Sequence, residues 1–266
     1  MINETEAPFA VVTGASSGIG YELAREFAEH GFDLLVAAED DAIEEAAGRL
    51  RSLGAKVEAV SADLAEYDGV ETLYERIRSS GRPVDAIAIN AGVGQGGPFV
   101  ENDLDAELNL IALNVTSVVH LAKRVVRDMV ERNEGRILFT SSIAAEAPAP
   151  YEAVYGASKA FVQSFAEALR DELRNTNITI TALQPGATET NFFHRAGMED
   201  TKVGTMDKSD PADVARQGFE ALMAGKDHVV AAMAMEQAQV AMGKVMPETT
   251  KAKMHRQVSE PGSANP

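Results

Sequence analysis

The sequence predicts a single α/β domain, a doubly wound parallel sheet of about seven strands with helices on both faces. Short apolar runs alternate along the chain with longer amphipathic segments, as strands joined by crossover helices do. The length of 266 residues suits one large domain, and no repeat, low-complexity block or linker divides it. A glycine-rich turn joins the first apolar run to the first amphipathic segment, as in ligand-binding α/β sheets.

Each element follows from its own pattern. Short buried runs of aliphatic residues predict strands, whereas apolar residues at helical spacing, often ended by glycine, predict helices. The predicted strands cover residues 9–13, 32–38, 57–61, 84–90, 136–141, 178–184 and 228–231. The predicted helices cover residues 18–30, 41–53, 67–80, 104–131, 155–174 and 211–224.

The composition excludes several classes of function. The net charge of −17 leaves no basic surface for nucleic acid or for anionic membranes. The absence of cysteine rules out disulfides, thiolate nucleophiles and cysteine-ligated metals. The five histidines lack ligand spacing, so we expect surface or core residues and no metal; they are His30, His120, His194, His228 and His255. Residues 1–7 form a polar tail without signal-peptide features, and no apolar run reaches membrane-spanning length, so we expect a soluble cytoplasmic protein.

The turn after the first strand has the character of a phosphate-binding loop. It reads Thr13-Gly-Ala-Ser-Ser-Gly-Ile-Gly20 and leads directly into a predicted helix. Glycines let the backbone approach a pyrophosphate, and the helix N-terminus offers free N–H groups and a positive dipole. The context therefore predicts a dinucleotide site of Rossmann type.

A tyrosine and a lysine lie four residues apart in Tyr155-Gly-Ala-Ser-Lys159, on one face of a predicted helix. An ammonium beside a phenol favours the phenolate, so we expect Lys159 to lower the pKa of Tyr155. A phenol tuned in this way can act as a general acid and base.

These two motifs and Asn90-Ala-Gly92 resemble the short-chain dehydrogenase/reductase family in its compact single-domain form, over about residues 8–231. The resemblance implies a Rossmann-like fold and hydride transfer between a nicotinamide cofactor and a small carbonyl compound or secondary alcohol. It implies Tyr155 as acid/base, assisted by Lys159. It also implies Ser142 as the hydrogen-bond donor to the substrate oxygen and Asn114 in a water-linked proton relay. Ser142 is preferred to Ser141 because the family's usual separation from the tyrosine fits it; Ser141 is expected to point into the sheet.

The resemblance also implies a set of cofactor-binding residues. Tyr155 and Lys159 belong to it, together with Gly14, Ser16, Ser17, Gly18, Ile19, Gly20, Glu39, Asp63, Leu64, Asn90, Ala91, Gly92, Pro185, Gly186, Thr188 and Thr190. Glu39 and Asp40 follow the second strand, where carboxylates would repel the 2′-phosphate of NADP. This favours NAD(H) without excluding NADP(H). Alternatively, Glu39 and Asp40 only cap the following helix.

The substrate side is expected to combine Ser142, Ala144 and Tyr155 with Phe192 and Phe193. The two phenylalanines lie in a segment, residues 188–210, that is expected to close over the substrate, although an ordinary surface loop would have the same composition. Residues 232–266 form a methionine-rich extension, expected to pack as helix on the body or on a neighbouring subunit, and a flexible tail from residue 260. Alternatively, the methionines form a promiscuous binding surface.

Three other functions remain open at this stage. A reductase of 3-oxoacyl groups bound to an acyl carrier protein would require a basic face on which the acidic carrier docks, and this chain is strongly acidic. A cofactor-sensing binding protein would usually lack the tyrosine or lysine, both of which are present. A nucleotide-sugar epimerase would need more chain after residue 231. By resemblance, helices 104–131 and 155–174 would pair between subunits in a homodimer or homotetramer.

Overall fold

A computed structural model describes residues 7–243 and 245–264, apart from the side chain of Gln239. Within these residues the chain forms one seven-stranded sheet in the order β3-β2-β1-β4-β5-β6-β7, and every neighbouring pair of strands is parallel. The strands are β1 Phe9–Thr13, β2 Asp33–Ala38, β3 Val57–Ser61, β4 Ala86–Ile89, β5 Gly135–Thr140, β6 Ile178–Pro185 and β7 His228–Ala231. The predicted doubly wound parallel sheet is confirmed.

Helices cover both faces of the sheet because its strands carry apolar side chains on both sides. The helices are α1 Gly18–Glu29, α2 Ala42–Arg51, α3 Tyr67–Ser79, α4 Leu104–Ile111, α5 Ser117–Arg132, α6 Ala153–Glu172, α7 Phe192–Arg195, α8 Lys202–Thr205, α9 Pro211–Met223, α10 Ala234–Gly243 and α11 Glu248–Ser259. Helices α1, α2 and α9 bury apolar residues against one face. Helices α3, α5 and α6 bury theirs against the other.

The single long helix predicted over residues 104–131 is wrong in its middle, where a π turn, Ala112–Thr116, separates α4 from α5. Asn114 lies in that turn and is buried. Its side chain pairs with the backbone of Val93, accepting from the amide at 3.0 Å and donating to the carbonyl at 2.9 Å. The wider turn thus fastens the helix to the loop after β4, a tertiary constraint that apolar spacing does not reveal.

The order of the strands decides where a ligand can bind. The chain winds outward from β1 in one direction through β2 and β3, and in the other through β4 to β7. Crevices outside the carboxyl ends of parallel strands at such a switch point are where open α/β sheets bind ligands. Both the glycine-rich turn after β1 and the loop after β4 lie there.

The C-terminal extension folds back onto the body. It forms α10 and α11, and the chain beyond α11, expected to be flexible, is held over residues 260–264 by hydrogen bonds. The Asp200 carboxylate accepts from the amide of Gly262, and the hydroxyl of Ser263 accepts from the amide of Lys202. The Tyr151 hydroxyl donates to the Glu260 carboxylate at 2.8 Å.

Among the described residues, no helix combines the length and the apolar character needed to cross a membrane.

Candidate active site

One cavity of about 710 Å³ runs along the carboxyl ends of the strands, from the glycine-rich turn to the C-terminal extension. Its volume is typical of sites for cofactors and small ligands. It brings together most of the residues predicted for the site. These are Gly14, Ser16, Ser17, Gly18, Ile19, Gly20, Glu39, Leu64, Asn90, Ala91, Gly92, Ser142, Ala144, Tyr155, Lys159, Pro185, Gly186, Thr188, Thr190, Phe192 and Phe193.

The turn after β1 has the shape that a pyrophosphate requires. Gly14 has a φ of 67° and lies against the backbone of Ala91, so both its conformation and the close approach require glycine. A Cβ at Gly20 would overlap the carbonyl oxygen of Gly14. Helix α1 begins after Ser17 without a side-chain cap or an acidic residue in its first turn, so its N–H groups remain available for an anion. The residues present therefore fit a dinucleotide.

A hydrogen-bond network joins the ends of three strands beneath this turn. The Thr13 hydroxyl oxygen accepts from the amides of Asn90 at 2.9 Å and Ala91 at 3.0 Å. The Asn90 side chain donates to the Thr13 carbonyl at 3.1 Å and accepts from the Thr140 hydroxyl at 3.0 Å. The network fixes the spacing of β1, β4 and β5, and so the floor of the cavity.

Glu39 and Asp40 follow β2 and line the cavity, where both are exposed. Neither side chain caps the next helix. The N-cap of α2 is Asp41, which itself makes no side-chain cap hydrogen bond. The Ser16 hydroxyl donates to the Asp40 carboxylate at 3.2 Å, which ties Asp40 to the glycine-rich turn. The capping role considered from sequence is thus not seen, and this end of the cavity is acidic.

Two predicted site residues do not line the cavity. The Asp63 carboxylate accepts from the amide of Ala65 at 2.9 Å, while its neighbours Ala62 and Leu64 face the cavity instead. Asn114 points toward Val93 and also donates to the Ser158 hydroxyl at 3.1 Å. The local turn holds Asp63 and the π turn holds Asn114, so neither side chain reaches the cavity directly.

Tyr155, Lys159 and Ser142 are buried together in the cavity wall. Helix α6 begins at Ala153, two residues earlier than predicted, which places Tyr155 and Lys159 on successive turns. The Lys159 ammonium donates to the Thr140 carbonyl at 3.0 Å and lies 5.8 Å from the centroid of the Tyr155 ring. Ser142 caps a short 3₁₀ turn and accepts from the amide of Ala144 at 3.1 Å.

The serine that precedes Ser142 has a structural task. Ser141 is buried, and its hydroxyl donates to the Lys159 carbonyl at 2.9 Å, so it fastens α6 to the end of β5 rather than pointing into the sheet. This bond sets the position of the helix that carries the tyrosine and lysine.

The expected lowering of the Tyr155 pKa by Lys159 is not seen in the ligand-free site. Burial raises the pKa of Tyr155 well above its ordinary value; the Ser142 hydroxyl partly opposes this, and the negative charge of Glu152 adds to it. Burial also lowers the pKa of Lys159 to about 8. Desolvation is the largest cause of both shifts. Tyr155 is therefore held as a neutral phenol, which suits a proton donor.

The loop after β6 closes the cavity above these residues. The Thr188 hydroxyl donates to the Gly186 carbonyl at 2.9 Å, and the Thr190 hydroxyl oxygen accepts from the amide of Phe192 at 3.2 Å. A Cβ at Gly18 would lie 3.1 Å from a Thr190 methyl carbon, so this loop reaches across to the start of α1.

Aromatic side chains wall the space next to Tyr155. The Phe192 ring lies 5.2 Å from the Tyr155 ring and 5.4 Å from the Phe193 ring, centroid to centroid. Gly94 makes room for Phe192, since a Cβ there would overlap the ring. Phe193 packs in a small apolar cluster with Ala196 and other residues of the segment that follows β6.

The C-terminal extension forms the remaining wall, which the sequence interpretation missed. Its contribution is partly apolar, from Met235, Val240, Met246, Met254 and Val258, and partly polar, from Glu236, Lys251, His255, Gln257 and Ser259. The run of methionines was the available signal, but spacing alone did not indicate which surface it covers. His255, expected to be an ordinary surface or core residue, instead lies in the cavity wall.

Polar contacts anchor α11 beside helix α6. His255 Nε2 lies 2.9 Å from a Glu152 carboxylate oxygen, and the Ser259 hydroxyl donates to the same oxygen at 2.8 Å. The Lys251 ammonium donates to the Glu146 carbonyl at 3.1 Å. Because the charge of Glu152 adds to the rise in the pKa of Tyr155, the contacts of α11 with Glu152 bear on the surroundings of the tyrosine.

The chain has clear relatives among known proteins. The family model for the short chain dehydrogenases matches residues 8–200. One relative, the uncharacterized short-chain type dehydrogenase/reductase y4eK of Sinorhizobium fredii, is 38% identical over 202 residues, covering 76% of this chain and 78% of the relative.

Solved structures resemble the chain over nearly its whole length. A short-chain dehydrogenase from Sphingobium yanoikuyae in complex with NADPH is 30% identical with a TM-score of 0.79, covering 91% of this chain and 97% of that one. A short-chain dehydrogenase/reductase from Burkholderia phymatum in complex with NAD is 26% identical with a TM-score of 0.81, covering 90% and 94%. The chain belongs to the short-chain dehydrogenase/reductase family, whose members are oxidoreductases acting on CH–OH and C=O groups.

Proposed function

We propose that the protein is a nicotinamide-dependent oxidoreductase in which Tyr155 transfers the proton of the substrate hydroxyl. One observation carries the proposal: Tyr155, Lys159 and Ser142 are buried side by side in a cavity whose other end is a glycine-rich anion cradle. The complexes of two similar proteins with NADPH and with NAD support a nicotinamide cofactor in that cavity.

The side chains divide the chemistry between them. The cofactor, when bound, supplies or accepts the hydride at the substrate carbon. In reduction, Tyr155 gives its hydroxyl proton to the carbonyl oxygen as negative charge develops there. Ser142 hydrogen-bonds the same oxygen, and the Lys159 ammonium stabilises the phenolate that is left. In oxidation the proton moves back from the alcohol to Tyr155.

We further propose a preference for NAD(H) over NADP(H). The carboxylates of Glu39 and Asp40 at the end of β2 support it, because a 2′-phosphate placed there would be repelled. Titration of the purified protein with NADH and, separately, with NADPH, followed by cofactor fluorescence, tests this directly. We expect tighter binding of NADH, and tighter binding of NADPH would overturn the assignment of Glu39.

The substrate we propose is a ketone or secondary alcohol with sizeable apolar groups. Phe192 lies against Tyr155, and Phe193 and methionines of the extension line the same cavity, where methionine can adapt to irregular apolar shapes. A panel of aliphatic and aromatic ketones, assayed for oxidation of NADH, tests the activity. Turnover that rises with apolar size is expected, whereas turnover confined to small polar carbonyls would contradict this substrate class.

Finally, we propose that the protein forms a homodimer or homotetramer through α4, α5 and α6. Leu104, Leu108 and Ile111 lie along one face of α4 and are exposed, as are Val119 on α5 and Phe161 on α6. Exposed apolar residues grouped in this way are typical of subunit contacts. Light scattering on the purified protein measures the state, and a monomer at micromolar concentration would contradict the proposal.

A further inference from the structure

A buried carboxylate joins the C-terminal extension to the loop after β6. Glu236 lies in the first turn of α10 and is almost fully buried. One of its carboxylate oxygens accepts from the amide of Ala187 at 2.9 Å, and the other accepts from the amide of Met233 at 3.0 Å. The first bond crosses between two parts of the chain 49 residues apart, and the second lies within the start of the helix.

Helix capping explains the hydrogen bond from Met233 to Glu236 but not the one from Ala187. Met233 precedes α10, so Glu236 reaches back to an otherwise unpaired N–H group at the helix start, as the acidic residue of a capping box does. A capping carboxylate is normally exposed to water. Here it is turned inward, and within the described part of the chain its hydrogen-bond donors are backbone amides rather than a lysine or arginine. Burial of a carboxylate without a cation is costly, so the contact with Ala187 is not incidental packing.

The loop that receives this carboxylate belongs to the cavity. Pro185, Gly186, Ala187 and Thr188 all line it, and so does Glu236. A Cβ at Gly186 would overlap a carboxylate oxygen of Glu236, so the glycine leaves room for the side chain. The hydrogen bond to Ala187 therefore fixes the backbone of this loop at the point where it faces the cavity.

We infer that Glu236 is a positioning residue that couples the C-terminal extension to binding of the nicotinamide end of the cofactor. This rests on the proposed function: hydride transfer beside Tyr155 requires the nicotinamide end of the cofactor there, and the segment after β6 lines the same cavity and reaches the Tyr155 ring through Phe192. Because the same carboxylate organises the start of α10, whose Met235 and Val240 line the cavity, ordering of the loop and closure of this wall support each other.

Two cofactor ligands separate this role from a general structural one. NADH carries the nicotinamide ring, whereas ADP-ribose lacks only that ring and keeps the adenosine, the pyrophosphate and the second ribose, so the difference between the two affinities reports on the ring. We expect Glu236→Ala to weaken NADH binding about tenfold or more, since a charged acceptor is lost from a buried backbone amide. Glu236→Gln keeps one acceptor oxygen and should have a smaller effect. ADP-ribose affinity should stay within about twofold of the wild type for both variants.

Calorimetric titration of the full-length protein and its variants with NADH and with ADP-ribose measures these affinities. Glu220→Gln is the matched control, because it removes an exposed carboxylate of α9 that does not line the cavity, and its NADH affinity should be unchanged. Unchanged NADH binding by Glu236→Ala would overturn the inference, as would equal losses of NADH and ADP-ribose affinity. A wild-type protein that binds neither ligand would instead overturn the proposed function, and the inference with it.

Discussion

Replacing Lys159 by methionine should stabilise the ligand-free protein at neutral pH. The ammonium is buried, it donates a hydrogen bond to the neutral carbonyl of Thr140, and its pKa falls from 10.5 to about 8. A shift of this size means that the charged form costs the folded protein about 3 kcal/mol at pH 7. Methionine fills a similar volume without charge, but leaves the Thr140 carbonyl without its donor at a cost of about 1 kcal/mol. The net gain is about 2 kcal/mol, which corresponds to a rise of roughly 4 to 8 °C in Tm.

The advantage of the methionine variant should depend on pH in a defined direction. Below pH 8 the lysine is protonated in both the folded and the unfolded state, so the wild type carries the full cost of burial. Between about 8 and 10.5 the unfolded chain binds more protons than the folded one, so the stability of the wild type rises with pH toward that of the variant.

Thermal unfolding of both proteins without cofactor, at pH 7 and at pH 9.5 and equal concentration, measures the effect. The difference in Tm should be larger at pH 7. The variant should also bind NADH more weakly and lose most of its activity, so stability and function would change in opposite directions. A methionine variant less stable than the wild type at pH 7 would show that burial of the Lys159 ammonium carries no net cost for the folded protein.

Three further predictions concern the cofactor, the catalytic tyrosine and assembly. Glu39→Arg should raise the NADPH to NADH affinity ratio about tenfold or more, as repulsion of the 2′-phosphate becomes attraction; an unchanged ratio in fluorescence titrations would remove Glu39 from the cofactor site. His255→Ala should move the pH profile of alcohol oxidation to higher pH. The variant removes a hydrogen-bond partner of the Glu152 carboxylate, so the negative charge of Glu152 acts more strongly on Tyr155 and raises its pKa further. A pH profile that does not move would show that α11 leaves the tyrosine unaffected. Leu108→Asp should lower the molecular mass measured by light scattering without a loss of secondary structure, and an unchanged mass would exclude α4 from the subunit contact.

The fold could be predicted almost completely because its signals are local. Buried apolar runs, amphipathic spacing and glycines that end helices are patterns among neighbouring residues. From these patterns the bounds of all seven strands were predicted to within a few residues. The π turn around Asn114 was not predictable, since it follows from hydrogen bonds to Val93 across 21 residues of sequence. The same holds for Ser141, whose partner is a carbonyl of the catalytic helix.

In the candidate site, too, the local motifs were predicted and the properties that depend on the folded structure were not. The glycine-rich turn and the Tyr155–Lys159 pair are short motifs, and both lie in the cavity as expected. The pKa of Tyr155 could not be inferred from its spacing to Lys159, because it depends on how deeply the folded protein buries both groups. Glu236 had no sequence signal beyond a methionine-rich helix, since its partner lies in the loop after β6.

Single-turnover reduction of a ketone by bound NADH decides whether Tyr155 moves the substrate proton. Tyr155→Phe should bind NADH as the wild type does but transfer hydride about 10³-fold more slowly, because the proton donor is gone. Tyr151→Phe is the control, since within the described residues this hydroxyl donates to Glu260 alone, and its loss should leave the rate nearly unchanged. A Tyr155→Phe variant that keeps the wild-type rate would contradict the account.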